Sequence, residues 1–381
     1  MRSTAGDADI QKVVKAISEV GGEAFVSRGK SQTIIGLVGD LTQFSELPLH
    51  AFPGVEDVIR VSKPYKLVST ETHPRPSTVM VGNTPIGRDT VTLIAGPCAV
   101  ETEAQTEAAC RMAKEAGATI LRGGAYKPRT SPYAFQGLGE AGLDILHGVS
   151  RDLGLPFATE VVTPADVEIV AAKADMLQIG TRNMQNFQLL KEAGMSGRPV
   201  MLKRGMTATI DEWIMAAEYV AHTGNLQIVL CERGVRSFEP LTRFTLDVSA
   251  VPVAQSLTHL PVIIDPSHSG GRRDLVMPLI RSAIGVGADG VIVDVHPQPE
   301  TALCDGPQAL VHDDINELRD TVARLSEAKG RKQKNIQSLG KPHPARTPLT
   351  RHTSRDPQAG HVTLRPVAGL PSSSATRSGA A

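Results

Sequence analysis

The chain has 381 residues, 41% hydrophobic, 21% charged and only 3% aromatic, with 35 Gly and 26 Pro. That length allows one large domain or two to three smaller ones, and the mix suits an α/β protein with many short loops rather than an aromatic-rich β-sandwich. Forty basic and forty acidic residues leave no formal net charge, which argues against a whole-chain nucleic-acid binder. No apolar run approaches the roughly 18 residues of a membrane span. The first residues lack the apolar core of a signal peptide. Four scattered cysteines form neither a disulfide framework nor a structural zinc spacing. These features predict a cytoplasmic protein with reduced thiols.

Residues 1–70 read as a small α+β regulatory unit. Ile10, Val13, Val14, Ala16 and Ile17 recur on one helical face, and Gly21-Gly22 ends that helix. Glu23–Ser27 and Thr33–Val38 read as strands, Leu41–Ala51 as loop and helix, Val55–Val61 as a strand. The order is ferredoxin-like with its leading strand missing. Residues 71–90 form a linker holding a hairpin, in which Thr78–Val81 and Pro85–Ile86 flank Gly82-Asn83-Thr84.

From 91 to 328 one phrase repeats: a short β-branched run, a loop rich in Gly, Pro or charge, then a helical stretch. The runs are Val91–Ala95, Thr119–Leu121, Pro156–Ala158, Asp175–Ile179, Val200–Leu202, Gln227–Leu230, Val262–Ile264 and Gly290–Val293. Thr102 with Gln105 and Thr209 with Glu212 match capping boxes, and Thr163-Pro164 places proline at a helix start. Eight such units predict a (β/α)8 TIM barrel. The alternative, a doubly wound sheet, lacks a GxGxxG after any strand. Residues 329–381 hold ten Lys/Arg, one acid and six prolines. This basic tail is predicted to be disordered and dispensable.

A barrel of this kind carries its active site at the C-terminal ends of its strands. The eight runs deliver Cys98; Arg122, Lys127 and Arg129; Glu160; Arg182; Lys203 and Arg204; Arg233; His268; and Asp294, His296 and Asp305. Any one of these alone reads as a loop charge, but together they place seven cations around one mouth. Guanidinium forks match phosphate and carboxylate, and so many cations exceed what one phosphate needs. Cys98, His268, Asp294 and Asp305 offer a thiolate, an imidazole and two carboxylates to a divalent ion such as Mn²⁺, Fe²⁺, Co²⁺ or Zn²⁺. Spacing alone supports this weakly, since a lone buried cysteine more often serves packing.

Six motifs carry a resemblance: Leu93-Ile-Ala-Gly-Pro-Cys98, Leu121-Arg-Gly-Gly-Ala-Tyr-Lys-Pro-Arg-Thr-Ser-Pro132, Gln178-Ile-Gly-Thr-Arg-Asn-Met-Gln-Asn-Phe187, Leu202-Lys-Arg-Gly205, Cys231-Glu-Arg-Gly234 and Asp265-Pro-Ser-His-Ser-Gly-Gly-Arg-Arg-Asp274. From about Asp9 to Leu310 the chain resembles 3-deoxy-D-arabino-heptulosonate 7-phosphate (DAHP) synthases of the type I beta form, with an N-terminal ferredoxin-like domain. The resemblance implies condensation of phosphoenolpyruvate with erythrose 4-phosphate, the first step of the shikimate route. It implies metal ligation by Cys98, His268 and Asp305, and phosphoenolpyruvate binding by Arg122, Lys127, Arg182, Lys203 and Arg233. Lys127, Pro128, Arg129 and Thr130 then hold erythrose 4-phosphate, with Glu160, Arg204 and Ser269 completing the substrate set. Lys127 or His268 handles protons, beside Cys98.

The family's fourth ligand is normally Glu, and this chain has Asp294, one methylene shorter. The resemblance further implies a homotetramer or homodimer and admits a chorismate mutase partner. The missing leading strand predicts weak feedback by aromatic amino acids. Alternatives are a sister synthase using arabinose 5-phosphate and a barrel retained for regulation alone. Cys304, next to Asp305, is placed to reach Cys98 when no metal intervenes.

Overall fold

The computed structural model describes residues 1–2, 4–28, 33–38, 44, 47–58 and 64–331. At the N-terminus, helix α1 (Asp7–Glu19) lays Val13 and Ile17 against an antiparallel hairpin, β1 (Glu23–Arg28) with β2 (Thr33–Val38). Among the described residues before α1 (1–2 and 4–6) none is in a strand. The expected strand Val55–Val61 does not form over residues 55–58, which are irregular, and its remainder lies outside the described residues. Of the loop and helix expected over Leu41–Ala51, the described residues show Phe44 in helical conformation and a 3₁₀ turn at Leu49–Ala51.

A second hairpin, β3 (Val79–Val81) and β4 (Thr84–Ile86), turns tightly at Gly82-Asn83, with Gly82 at φ +56°. Thr84, read as a turn residue, belongs to the strand. The eight expected runs are all strands: β5 (Thr92–Gly96), β6 (Ile120–Arg122), β7 (Phe157–Val161), β8 (Met176–Ile179), β9 (Val200–Lys203), β10 (Ile228–Glu232), β11 (Val262–Ile264) and β12 (Gly290–Asp294). They pair in parallel in sequence order, and β12 returns to β5, with Gly290 opposite Thr92 and Asp294 opposite Gly96. The sheet is a closed barrel with no free edge. Helices follow the strands as the capping signals require. Thr102 accepts from Gln105 N at 3.1 Å, and Thr209 and Glu212 form the reciprocal box.

Strand parity sorts the core. Leu93, Leu121, Leu177, Leu202 and Leu230 face outward to the helices. Ile94, Ile120, Ala158, Met176, Met201, Val229, Ile263 and Ile292 face inward and meet Val79, Val81 and Ile86 of the second hairpin, which plugs the N-terminal end. Two residues further along the same inward face stand Gly96, Arg122, Glu160, Gln178, Lys203, Cys231, Asp265 and Asp294. The period of two therefore hands the layer above the apolar plug to polar and charged side chains. Gly96 is required there, because a Cβ would lie 2.0 Å from the Arg122 carbonyl oxygen.

The described chain runs past the expected boundary at residue 328. Arg331 donates to the Ala288 and Gly287 carbonyls at 2.7 and 3.1 Å, so the tail's first residues are docked. The disorder expected of residues 332–381 lies outside the described residues.

Candidate active site

One cavity at the C-terminal mouth is lined by Arg122, Lys127, Pro128, Arg129, Glu160, Arg182, Lys203, Arg233, His268 and Asp305, ten of the residues expected to act together. Thr130 joins at the edge, accepting from Arg182 Nη2 at 3.1 Å. Arg243, Phe244 and Gln178 line the same cavity without having been expected. The Arg233 guanidinium sits 3.9 Å from the Phe244 ring centroid and donates to the His268 carbonyl at 3.0 Å. Burial lowers its pKa to about 10, which leaves it cationic at neutral pH. Gly180 leaves room for the Glu160 carboxylate, which a Cβ would meet at 1.9 Å.

Against this basic wall lies a cluster of donor atoms. Cys98 Sγ is 3.6 Å from His268 Nε2 and 3.3 Å from Asp305 Oδ2, and the last two are 3.7 Å apart. Among the described residues these three form the one group of close metal-type donors. His268 Nδ1 lies 2.9 Å from Asp265 Oδ2, and the His268 N–H donates to Asp265 Oδ1 at 2.9 Å. The Asp265 contact orients the ring and turns Nε2 toward Cys98 and Asp305. Burial alone would raise the Asp265 carboxyl; His268 and Lys203 instead hold it well below the usual range. A hydrogen bond from Cys304 lowers the Cys98 thiol, and against the cost of burial Lys127 and His268 pull it further down. Lys127 Nζ donates to the Cys98 sulfur at 3.2 Å and carbonyl at 3.0 Å. A thiolate, an imidazole and a carboxylate are donor types that fit a borderline divalent cation.

Of three further expected residues, one borders the donor group and two stand elsewhere. Asp294 is buried outside the donor group: one oxygen pairs with Arg122, and the other accepts from Gln308 Nε2 at 2.6 Å. Its nearer oxygen is 3.6 Å from His268 Nε2. The shorter side chain is thus taken up by its neighbours. Arg204 points out of the mouth, paired with Glu232 at 2.9 Å and Asp247 at 3.0 Å. It has the outward parity of Leu202, so its charge is spent between barrel and helices. Ser269 is buried and donates to the Pro266 carbonyl at 3.0 Å. Cys304 Sγ is 3.6 Å from Cys98 Sγ and accepts from Arg129 Nη1 at 2.7 Å.

Residues 67–329 match the model of the DAHP synthetase I family, and residues 1–63 that of the DAHP synthase ferredoxin-like domain. The chain belongs to the DAHP synthetase I family. It is 49% identical over 324 residues to a phospho-2-dehydro-3-deoxyheptonate aldolase of Thermotoga maritima, a match covering 85% of this chain and 96% of that protein. The crystal structure of such an aldolase (DAHP synthase) from the same organism superposes with a TM-score of 0.70 at 47% identity, over 87% of this chain and 97% of that one. A 2-dehydro-3-deoxyphosphooctonate aldolase of Syntrophotalea carbinolica is 36% identical over 67% of this chain and 98% of its own length. The match of residues 1–63 bears out the ferredoxin-like reading of the N-terminal unit. Arg243, by contrast, carries no motif in the sequence. It sits in a loop and reaches the site only by bonding Asp305 Oδ1 and Gln308 Oε1, both at 3.0 Å.

Proposed function

We infer that this chain condenses phosphoenolpyruvate with D-erythrose 4-phosphate and water, releasing DAHP and phosphate, at the barrel mouth. The observation that carries this reading is one cavity joining seven cations to the Cys98–His268–Asp305 donor group, in a DAHP synthetase I chain. Arg122, Lys127, Arg182, Lys203 and Arg233 supply charge for a phosphate and a carboxylate, and Lys127, Pro128, Arg129 and Thr130 form the adjoining wall for the second phosphate. Cys98, His268 and Asp305 would hold a divalent ion, Mn²⁺, Fe²⁺, Co²⁺ or Zn²⁺. Bound there, such an ion supplies Lewis acidity toward an aldehyde oxygen.

The cations hold C3 of phosphoenolpyruvate toward that aldehyde carbon. C3 forms the new C–C bond to that carbon, water adds at C2 of the resulting cation, and the hemiketal phosphate so formed expels inorganic phosphate by C–O cleavage. Lys127 and His268 are the candidates for proton transfer, and Lys127 keeps its charge. Burial works against its charge, but Cys98 and Cys304 outweigh that and hold the ammonium protonated. His268 has Nδ1 engaged by Asp265 and Nε2 turned into the donor group.

Family membership supports a homodimer or homotetramer in the cytoplasm and a chorismate mutase partner, which sedimentation with and without the mutase would test. Among the described residues no helix is long and apolar enough to cross a membrane. The deciding assay follows phosphate release by the purified chain with Mn²⁺ and each aldose phosphate in turn. Erythrose 4-phosphate should be consumed and arabinose 5-phosphate should not. Turnover of arabinose 5-phosphate alone would assign the chain to the octonate chemistry, and turnover of neither would make it a non-catalytic barrel.

A further inference from the structure

Cys98 and Asp305 come from opposite ends of the barrel sequence, and their donor atoms must stay a few ångströms apart to share an ion. Asp305 sits in the long loop after β12. It is the one non-glycine residue at positive φ (+53°) among the described residues, a conformation that persists only when the surroundings enforce it. Its neighbour Gly306 passes so close to the Pro299 carbonyl that a Cβ would lie 2.1 Å from that oxygen. The loop is thus tightly folded on itself, and its position depends on the bonds that tie it to the barrel. Arg243 supplies the tie on one side, through Asp305 and Gln308.

The other tie is Glu101. It lies three residues after Cys98, in the loop that follows β5, and its Oε1 accepts the Leu303 N–H at 2.9 Å. Leu303 is two residues before Asp305. The second carboxylate oxygen faces His296 Nε2 at 3.7 Å. His296 is 4% exposed, and its Nδ1 accepts the Gln298 N–H at 3.0 Å. That bond places the ring's proton on Nε2, which is buried without a hydrogen-bond partner and directed at Glu101. Glu101 and His296 touch none of the three donor atoms.

We propose that Glu101 is a positioning residue for metal binding: by gripping the Leu303 N–H, with His296 behind it, it fixes the Asp305 loop against the Cys98 loop. This inference rests on the reading of Cys98, His268 and Asp305 as metal ligands. Groups hydrogen-bonded to a metal's ligands change affinity by about 10- to 100-fold when they are lost; Glu101 acts one step further out, through the Leu303 backbone.

The test titrates Co²⁺ into the metal-free full-length chain, reading both the thiolate-to-cobalt absorption and the dissociation constant by chelator competition. Glu101→Ala should weaken Co²⁺ binding by about tenfold, the low end of the range for groups bonded to the ligands themselves. The thiolate band should persist at saturation, because Cys98 is untouched, and the metal-free melting temperature should not move. Glu101→Gln keeps an oxygen for the Leu303 N–H and should recover most of the affinity. Unchanged affinity in Glu101→Ala overturns the proposal, as does a fall in metal-free melting temperature that Glu101→Gln fails to reverse. A parent chain that binds no Co²⁺ would instead overturn the metal site itself, and this inference with it.

Discussion

The two ends of β12 each carry a buried aspartate, and their surroundings differ. At the entry, Asp289 accepts from Arg88, from the Val262 N–H at 2.7 Å and from Gln255 Nε2 at 3.4 Å, while Arg331 stands 3.6 Å away. The plug of Val79, Val81 and Ile86 closes the barrel at this N-terminal end. At the exit, Asp294 meets Arg122 and Gln308, and above it cations outnumber the acids lining the cavity, Glu160 and Asp305. A buried carboxylate whose partners are all supplied by the fold holds the fold together. One set beneath an open cavity with surplus positive charge is arranged for an anion that arrives from outside.

The sharpest way to break this contrast is to strike the mouth. Cys98→Ala should lower kcat by about three orders of magnitude, the several kcal/mol that a polarising cation contributes, while the melting temperature moves little. Full turnover in that variant would remove the chemical role of the mouth. With metal stripped by EDTA, the 3.6 Å separation of the Cys98 and Cys304 sulfurs should let hydrogen peroxide join them as a disulfide, with water as the by-product and activity lost until thiol is added. Thiol mapping that finds both residues free, or a Cys304→Ser variant that is equally sensitive, would refute this.

The paired aspartates give the next contrast. Asp289→Ala strands Arg88 and should cost about 3 kcal/mol in urea unfolding with kcat unchanged. Asp294→Asn should lower kcat/KM for phosphoenolpyruvate by about tenfold or more, roughly 1.4 kcal/mol, by releasing Arg122 from its fixed position. If Asp294→Asn alters stability alone, the two ends of the strand are equivalent.

A pH scan tests the closed end from another side. His259 is buried there, held by Ser77 and the Leu67 carbonyl, and burial lowers its pKa from 6.5 to about 4. Between those values the unfolded chain takes up a proton that the folded chain refuses. Stability should therefore fall as pH drops from 6.5 toward 4, and His259→Gln should flatten that slope in melting experiments.

The smallest effect belongs to the tail. A chain ending at Arg331 should keep full turnover and stability. One ending at Lys329 loses the Arg331 contacts and should lose about 1 kcal/mol without losing activity. A large loss of turnover in the first variant would give residues 332–381 a catalytic role.

By itself the sequence determined the eight strands, their order and most of the mouth. Inward parity is a local property with a period of two, so Ile120 and Arg122, or Met201 and Lys203, declare their layer without knowledge of the rest of the chain. Lys203 and Arg204 show where that ends. Both follow the same run, yet one lines the cavity, and the other meets Glu232 and Asp247 on its outer side. The capture of Asp294 by Arg122 and Gln308, the reach of Arg243 to Asp305, and the grip of Glu101 on Leu303 have no local signature either. Each joins different segments of the chain, and their separation is set only when the strands assemble and the barrel closes. Short-range periodicity chooses which face a side chain takes; barrel closure chooses its partner, because a hydrogen bond or ion pair depends on distances that no single segment contains.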